Sequence, residues 1–501
     1  MASKTVLRFL RFQPRIWLWG IVILVGLLIT LHLREPALPP PIFGPPIVDP
    51  LTQVLGHPSF NDIRLYEREL PQHVPRGMLP KGDNRPSPRY LFFPWASWGS
   101  GWNNVFQGAL LNTHLAYRAH RAYVFPNYIP RDHPPFPDIL PNGTRHMLEV
   151  PMNAFVSGPT GGGPLSADNT DSLLRRAVSV EWWNLVCPPK NVVTVKLYDT
   201  LQELGLDGGS DGKDMMDKWA NKLLGMSEPC VSIVDGSVFD YIFIGSSRVL
   251  SIWPDYANSP VLQYFAWSPL VTAAMLRHFH FLSDDAPPKL LAPMGEPPYG
   301  FQSFRPYKSS APSIAGLLGI HVRRGDYEGH CINLANGGAD YNAWNLMGTP
   351  GLTPASKDGY VWPALPDYLN IPDNQSRRDA ALDHCWPSPA VIVARAREVQ
   401  IGAARQDALP PQDLRRIYIS TNGEATWVAE LASALRADGW KVASSLDLML
   451  TREEQAVGQA VDMAILAGAD TFIGVGFSSL TSNVVQIRLG GGRDARTIHF
   501  W

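Results

Sequence analysis

Gly319-Ile320-His321-Val322-Arg323-Arg324-Gly325-Asp326-Tyr327-Glu328-Gly329-His330-Cys331 closes an apolar run with a burst of cationic and acidic side chains. Leu317, Leu318, Ile320 and Val322 read as a strand, with His321, Arg323, Arg324 and Asp326 at its exit. Charges are costly to bury unpaired, whereas the carboxyl end of a strand in an open α/β sheet is where ligands bind. The stretch therefore predicts a sheet strand that ends in a ligand crevice.

Three further blocks agree with it. Tyr90 to Phe93 reads as a strand, followed by Gly99-Ser100-Gly101-Trp102-Asn103-Asn104, a helix-like run and a second apolar strand near Ala122 to Phe125. Arg416 to Asn422 reads Arg-Ile-Tyr-Ile-Ser-Thr-Asn, and Val461 to Arg488 contains Asp462 and Phe477-Ser-Ser-Leu-Thr-Ser-Asn483. Together with the opening stretch, these blocks resemble, in the same order, the motifs of the GDP-fucose protein O-fucosyltransferase family, whose superfamily carries His-x-Arg-Arg-Gly-Asp. The resemblance spans most of the chain from Arg89 onward and is weak over residues 134–310 and 332–388. It implies a GT-B type α/β fold, two Rossmann-like domains facing a cleft, and fucose transfer with inversion from GDP-fucose to a protein hydroxyl. The same motif is how glycan fucosyltransferases of the α1,2 and α1,6 type read, which makes a glycan the alternative acceptor. A catalytically silent, membrane-tethered binding protein of the same fold is the reading from another class.

At 501 residues the chain exceeds one core, and two domains plus appendages are expected. A net charge of −2 provides no electrostatic footprint for nucleic acid, so any cationic site is local. Residues 16–33 are an uncharged apolar run of 18 residues, roughly 27 Å as a helix, close to the thickness of a thin bilayer. Lys4, Arg8, Arg11 and Arg15 precede it and only Arg34 follows closely. The expectation is an uncleaved type II anchor with the remainder in the lumen of the endoplasmic reticulum or Golgi. Cys187, Cys230, Cys331 and Cys385 suit an oxidising lumen and allow three pairings, of which proximity in sequence favours 187 with 230 and 331 with 385. Asn142 and Asn374 head glycosylation sequons.

Residues 1–15 read as a cytosolic tail, and residues 34–88, studded with proline and without a period, as an extended stem. Residues 89–287 are expected to form the first Rossmann-like domain, with strands at 192–197 and 241–244 and a glycine-rich surface loop at 158–163. Residues 288–501 are expected to form the second, donor-binding domain, on a parallel sheet. Within it Ser388-Pro389 starts a helix to about Arg405, 424–438 is a helix stopped by Gly439, 453–468 is another helix, and 332–387 reads as a long loop insertion.

The site chemistry follows from the leaving group. Negative charge developing on a departing diphosphate is best met by a planar, permanently charged guanidinium, and Arg323 matches the family arginine that does this. His321 and Asp326 complete the catalytic set, with Asp326 orienting an arginine or acting as base. Donor-binding residues are Arg324, Ser478, Ser479 and Thr481 at an apparent helix start, where N–H groups and hydroxyls bind phosphate. Asp462 is assigned to the two adjacent donors of guanine, and Gly99, Gly101 and Asn103 to a loop that lets backbone approach the ligand. Trp102 and Leu480 depart from the family's usual residues. No Asp-x-Asp occurs, so no metal and no cofactor beyond the donor sugar is expected.

Overall fold

The computed structural model describes residues 58–73, 88–95, 101–130, 138–139, 145–146, 149–166, 173–285, 314–347, 373–405 and 412–501. The expected tail and anchor, Gly99, the Asn142 sequon and the boundary near 287 lie outside the described residues. Among the described residues no helix is long and apolar enough to cross a membrane.

The first half begins with helix α1 (Phe60–Arg68), then β1 (Tyr90–Phe92), α2 (Trp102–Arg118), β2 (Ala122–Phe125), β3 (Val178–Ser179) and α3 (Val180–Val186). After these come β4 (Val192–Lys196), α4 (Gly212–Gly225), β5 (Cys230–Val234) and α5 (Pro269–Arg277). Its sheet is parallel throughout in the order β3-β2-β1-β5-β4. The second half holds β6 (Ile314–Val322), α6 (Tyr327–Asn336), α7 (Asn374–Cys385), α8 (Pro389–Arg405), β7 (Arg416–Thr421) and α9 (Ala425–Ala437). It is completed by β8 (Lys441–Ser444), α10 (Arg452–Ala456), α11 (Gly458–Gly468), β9 (Ala469–Gly474), α12 (Ser479–Gly490) and β10 (Ile498–Phe500). Its sheet is also parallel, in the order β8-β7-β6-β9-β10. In each sheet the chain leaves its first strand toward one side and later crosses to the other, which opens a crevice at the carboxyl ends of β1 and β5 and of β6 and β9.

The two halves share one apolar core. Helices α2 and α12 pack against each other and are buried nearly all round, although both carry polar side chains. Trp344 of the second half lies 5.5 Å from the Tyr256 ring and 5.2 Å from Trp253, both of the first. Polar groups pair across the joint: Gln107 Nε2 of α2 donates to Ser482 Oγ of α12 at 2.6 Å, and Tyr256 Oη, from the first half, to Gln486 Oε1 at 3.0 Å.

The disulfides are Cys187–Cys230 and Cys331–Cys385, the pairs that proximity favours. The first fastens α3 beside β5, and the second joins α6 to α7 across the expected insertion. That insertion is therefore not a plain loop: the end of α6, a 3-10 turn at Ala343–Leu346 and α7 occupy its described parts.

Four local expectations are corrected. The stem reading fails at 58–73, where Ser59 and Asp62 form a reciprocal capping box that starts α1 and Ile63 seats it in the core. Residues 158–163 are a buried turn rather than a surface loop. A Cβ on Gly163 would stand 2.4 Å from the Ser157 carbonyl oxygen and one on Gly161 2.6 Å from that of Val156, so glycine serves close packing there. Tyr241–Ile244 is one helical turn capped by Asp240, not a strand. The helix expected over 453–468 breaks at Val457 into α10 and α11.

Helix α1 also buries Glu67, whose Oε1 accepts from the Asn153 N–H at 3.1 Å while Oε2 has no partner among the described residues. Burial pushes this carboxyl up from 4.5 to about 8, so the folded chain holds a proton that the unfolded chain releases. Glu67 therefore favours folding most below pH 4.5, and that contribution is lost as pH rises toward 8. The melting temperature of the parent should fall across that window relative to Glu67→Gln. Parallel curves in a thermal denaturation series would exclude it.

Candidate functional site

Strand β6 delivers His321 to the crevice in a buried position, with Nδ1 2.9 Å from Thr481 Oγ1 on α12. Burial, helped by the neighbouring Arg323 cation, pushes the imidazole down to about 3, so it is neutral throughout ordinary pH. It can hold a hydrogen bond but does not titrate as an acid or base near neutrality. The terminal Trp501 donates its indole N–H to the His321 carbonyl at 2.9 Å and fixes the strand end from behind.

Arg323 follows, with its side chain 36% exposed. Among the described residues its one ion pair is a 3.4 Å contact with Asp326, itself 87% exposed, and its guanidinium lies 5.5 Å from the centre of the Tyr327 ring. Such an exposed pair is worth about 0–1 kcal/mol, so a stronger anion can replace it.

Arg324 turns the other way. Its guanidinium is buried between the Trp386 and Trp427 rings at 4.3 and 4.2 Å and donates to the Pro387 carbonyl. Its backbone N–H donates to Asn422 Oδ1 at 2.8 Å. Burial lowers this group to about 10, still a cation, and the double stack holds the loop that carries Arg323. Arg324 thus stands apart from the other residues assigned to the donor. Gly325 completes the turn at φ +68, where a Cβ would strike Asn422 Nδ2 at 2.8 Å.

On the adjoining strand end, Ser478 caps α12 by accepting from the Leu480 N–H, and Thr481 is fully buried against His321. Ser479, the first residue of α12, is the partly exposed one of the three. Asp462 on α11 accepts hydroxyl hydrogens from Tyr418 at 2.5 Å, Ser420 at 2.8 Å and Ser445 at 2.9 Å. Burial pushes its carboxyl up to about 6 against the pull of those donors. It lies beneath the carboxyl ends of β7 and β8, and Oδ1 receives only one of the three bonds.

From the first half, Gly101 caps α2 with open space where a Cβ would stand. Asn103 in the first turn of α2 donates to Gln459 Oε1 at 2.8 Å, and its carbonyl accepts from Asn483 Nδ2 at 2.9 Å. Gln459 opens α11 and Asn483 lies early in α12, so the amino-terminal parts of three helices meet beside Asn103. None has an acidic residue in its first turn, and their dipoles leave positive potential at the crevice. His321, Arg323, Ser479, Thr481, Gly101 and Asn103 thus gather around the junction of the halves, an arrangement suited to an anionic ligand. Sequence reasoning missed Asn345, Trp386, Trp427 and Gln459, which become neighbours of the motif only through long-range packing.

No family model matches the chain, and no curated protein matches it. Among solved structures, the chain is similar to POFUT1 in complex with GDP-fucose, with 14% identity over 83% of this chain and 99% of that one and a TM-score of 0.46. It is similar as well to NodZ alpha-1,6-fucosyltransferase soaked with GDP-fucose, with 12% identity over 80% and 92% of the two chains and a TM-score of 0.32.

Proposed function

We propose that this chain is a glycosyltransferase that moves fucose from GDP-fucose, with inversion and without a metal, to a serine or threonine hydroxyl of a protein. The observation that carries this is the solvent-facing, weakly paired Arg323 guanidinium at the end of β6, beside three helix amino termini with no acidic first-turn residue. An anionic diphosphate fits that field. As the bond from the anomeric carbon to the β-phosphate oxygen breaks, the leaving oxygen gains charge that Arg323 stabilises. The acceptor oxygen bonds the anomeric carbon from the opposite face and passes its proton to solvent water. Neutral His321 supports donor placement through hydrogen bonding, Asp326 orients Arg323, Arg324 steadies the loop that carries it, and Asn103, Ser478, Ser479 and Thr481 complete the donor cradle with Gly99 and Gly101. Asp462 reads the guanine edge through the unfilled capacity of Oδ1. The choice of fucose and of a protein acceptor rests on the resemblance of the His321–Asp326 and Ser478–Asn483 stretches. The first 33 residues support an anchored protein with its site in the lumen of the endoplasmic reticulum or Golgi.

The test is transfer by the full chain in detergent, using labelled nucleotide sugars with peptide, folded-protein and glycan acceptors, with and without a chelator. Fucose on a protein hydroxyl, at a rate the chelator leaves unchanged, is expected. Failure to bind GDP or hydrolyse any GDP-sugar would overturn the reading. Activity abolished by chelator and restored by manganese would overturn its metal-independent part.

A further inference from the structure

In the loop between β9 and α12, residues 475–478, three carbonyls are held by side chains or backbone from the 327–345 segment, and that of Ser478 also accepts the Ser482 N–H at 3.0 Å. The Gly476 carbonyl accepts from the Asn342 N–H at 2.9 Å and from Asn345 Nδ2 at 2.7 Å. The same Asn345 amide reaches the Ser478 carbonyl at 3.3 Å, and Tyr327 Oη donates to the Phe477 carbonyl at 3.1 Å. A trans peptide unit is planar with its C=O and N–H opposed, so pinning the Gly476 and Ser478 carbonyls on Asn345 turns the Phe477 and Ser479 N–H groups away from it. They then face away from Asn345 at the start of α12, the helix whose Thr481 meets His321 of β6.

We propose that Asn345 is a positioning residue that aims the Phe477 and Ser479 N–H groups at the donor diphosphate, an inference that rests on the nucleotide-sugar reading above. Two features of its surroundings show how closely its placement is specified. The turn that carries it holds Ala343 at φ +44, a conformation costly for any residue with a Cβ. Tyr341 in the same segment packs so closely on the loop that a Cβ on Gly476 would fall 2.4 Å from its ring. Asn345 is itself fully buried, and its Oδ1 has no partner among the described residues. An orphaned buried acceptor is costly, and leucine of similar size would avoid it. What asparagine supplies and leucine cannot is the amide that orients two carbonyls at once.

The experiment titrates GDP, inorganic pyrophosphate and guanosine into the full-length parent, Asn345→Asp, Asn345→Leu and Tyr327→Phe, with melting temperatures measured alongside. Asn345→Asp is isosteric and sets an acceptor against both carbonyls. It should bind GDP and pyrophosphate about tenfold or more weakly at neutral pH, with guanosine affinity unchanged. Lowering the pH should return part of the loss as the new carboxyl protonates and can donate. Tyr327→Phe, which deletes one hydroxyl and keeps the ring, should show the same pattern at smaller amplitude even if Asn345→Leu does not fold. A parent that binds GDP while the variants bind it equally well, or lose GDP and guanosine alike, would overturn this proposal alone. A parent that binds neither GDP nor pyrophosphate would overturn it together with the proposed function.

Discussion

Replacing Arg323 by alanine is expected to lower turnover on GDP-fucose about a hundredfold while GDP binding falls much less. Among the described residues this guanidinium is held only by a 3.4 Å pair with an exposed Asp326 and by the Tyr327 ring, so its removal leaves none of them buried and unpaired. The fold should therefore survive, and the loss should appear in the step where charge moves onto the leaving phosphate. Losing one preorganised group of this kind costs roughly 3 kcal/mol in the transition state, which is the expected hundredfold. Arg323→Lys keeps a point charge without the planar fork and should fall between the two. Near-normal turnover in the alanine variant, measured under saturating donor, would remove Arg323 from the chemistry.

Arg277→Met is expected to destabilise the fold by about 3–5 kcal/mol, read as a shift in the denaturant midpoint. Glu454 has a side-chain exposure of 0%, and Arg277 reaches both of its oxygens, Oε1 at 2.9 Å. The same guanidinium donates to the Met449 carbonyl at 3.1 Å, and the adjacent His278 accepts from the Met449 N–H at 2.9 Å. Arg277 ends α5 in the first half and Glu454 lies on α10 in the second, so this pair clamps the joint between them. Removing the cation alone leaves the buried carboxylate without its countercharge, although it keeps the Thr451 N–H at 2.8 Å. Arg277→Met combined with Glu454→Met should recover part of the loss, because neither charge then remains to be solvated while the Thr451 N–H loses its capping carboxylate. A single variant within 1 kcal/mol of the parent would contradict the clamp.

Much of this was legible along the chain, for identifiable reasons. The apolar run ending in His321, Arg323 and Asp326 signalled a crevice because an open parallel sheet is where such charges can stand unburied, and β6 ends there. Ser388-Pro389 and Gly439 marked helix ends through local backbone chemistry, and Gly439 adopts φ +99 as a helix stop requires. Other readings failed where local signals were faint or shared. The Ser59–Asp62 capping box lay inside a proline-rich context that read as stem, and the glycines at 158–163 suggested a surface loop although their smallness serves close packing.

What the sequence by itself determined is therefore what short-range physics encodes: the alternation of strands and helices, the caps, the crevice at the end of β6, and a cysteine spacing that favoured the observed pairs. Only the tertiary structure decided which charges are available. Arg323 and Arg324 are neighbours of identical chemistry, yet one faces solvent and the other is locked between Trp386 and Trp427, residues roughly 60 and 100 positions away. Asp462 was visible as an anomaly in an apolar helix, but its three hydroxyl partners come from β7 and from just beyond β8. Asn345 gave no local signal at all. Its role exists only because folding brings its amide against two carbonyls of a loop more than 130 residues further along, and contacts of that range leave no period or spacing in the chain.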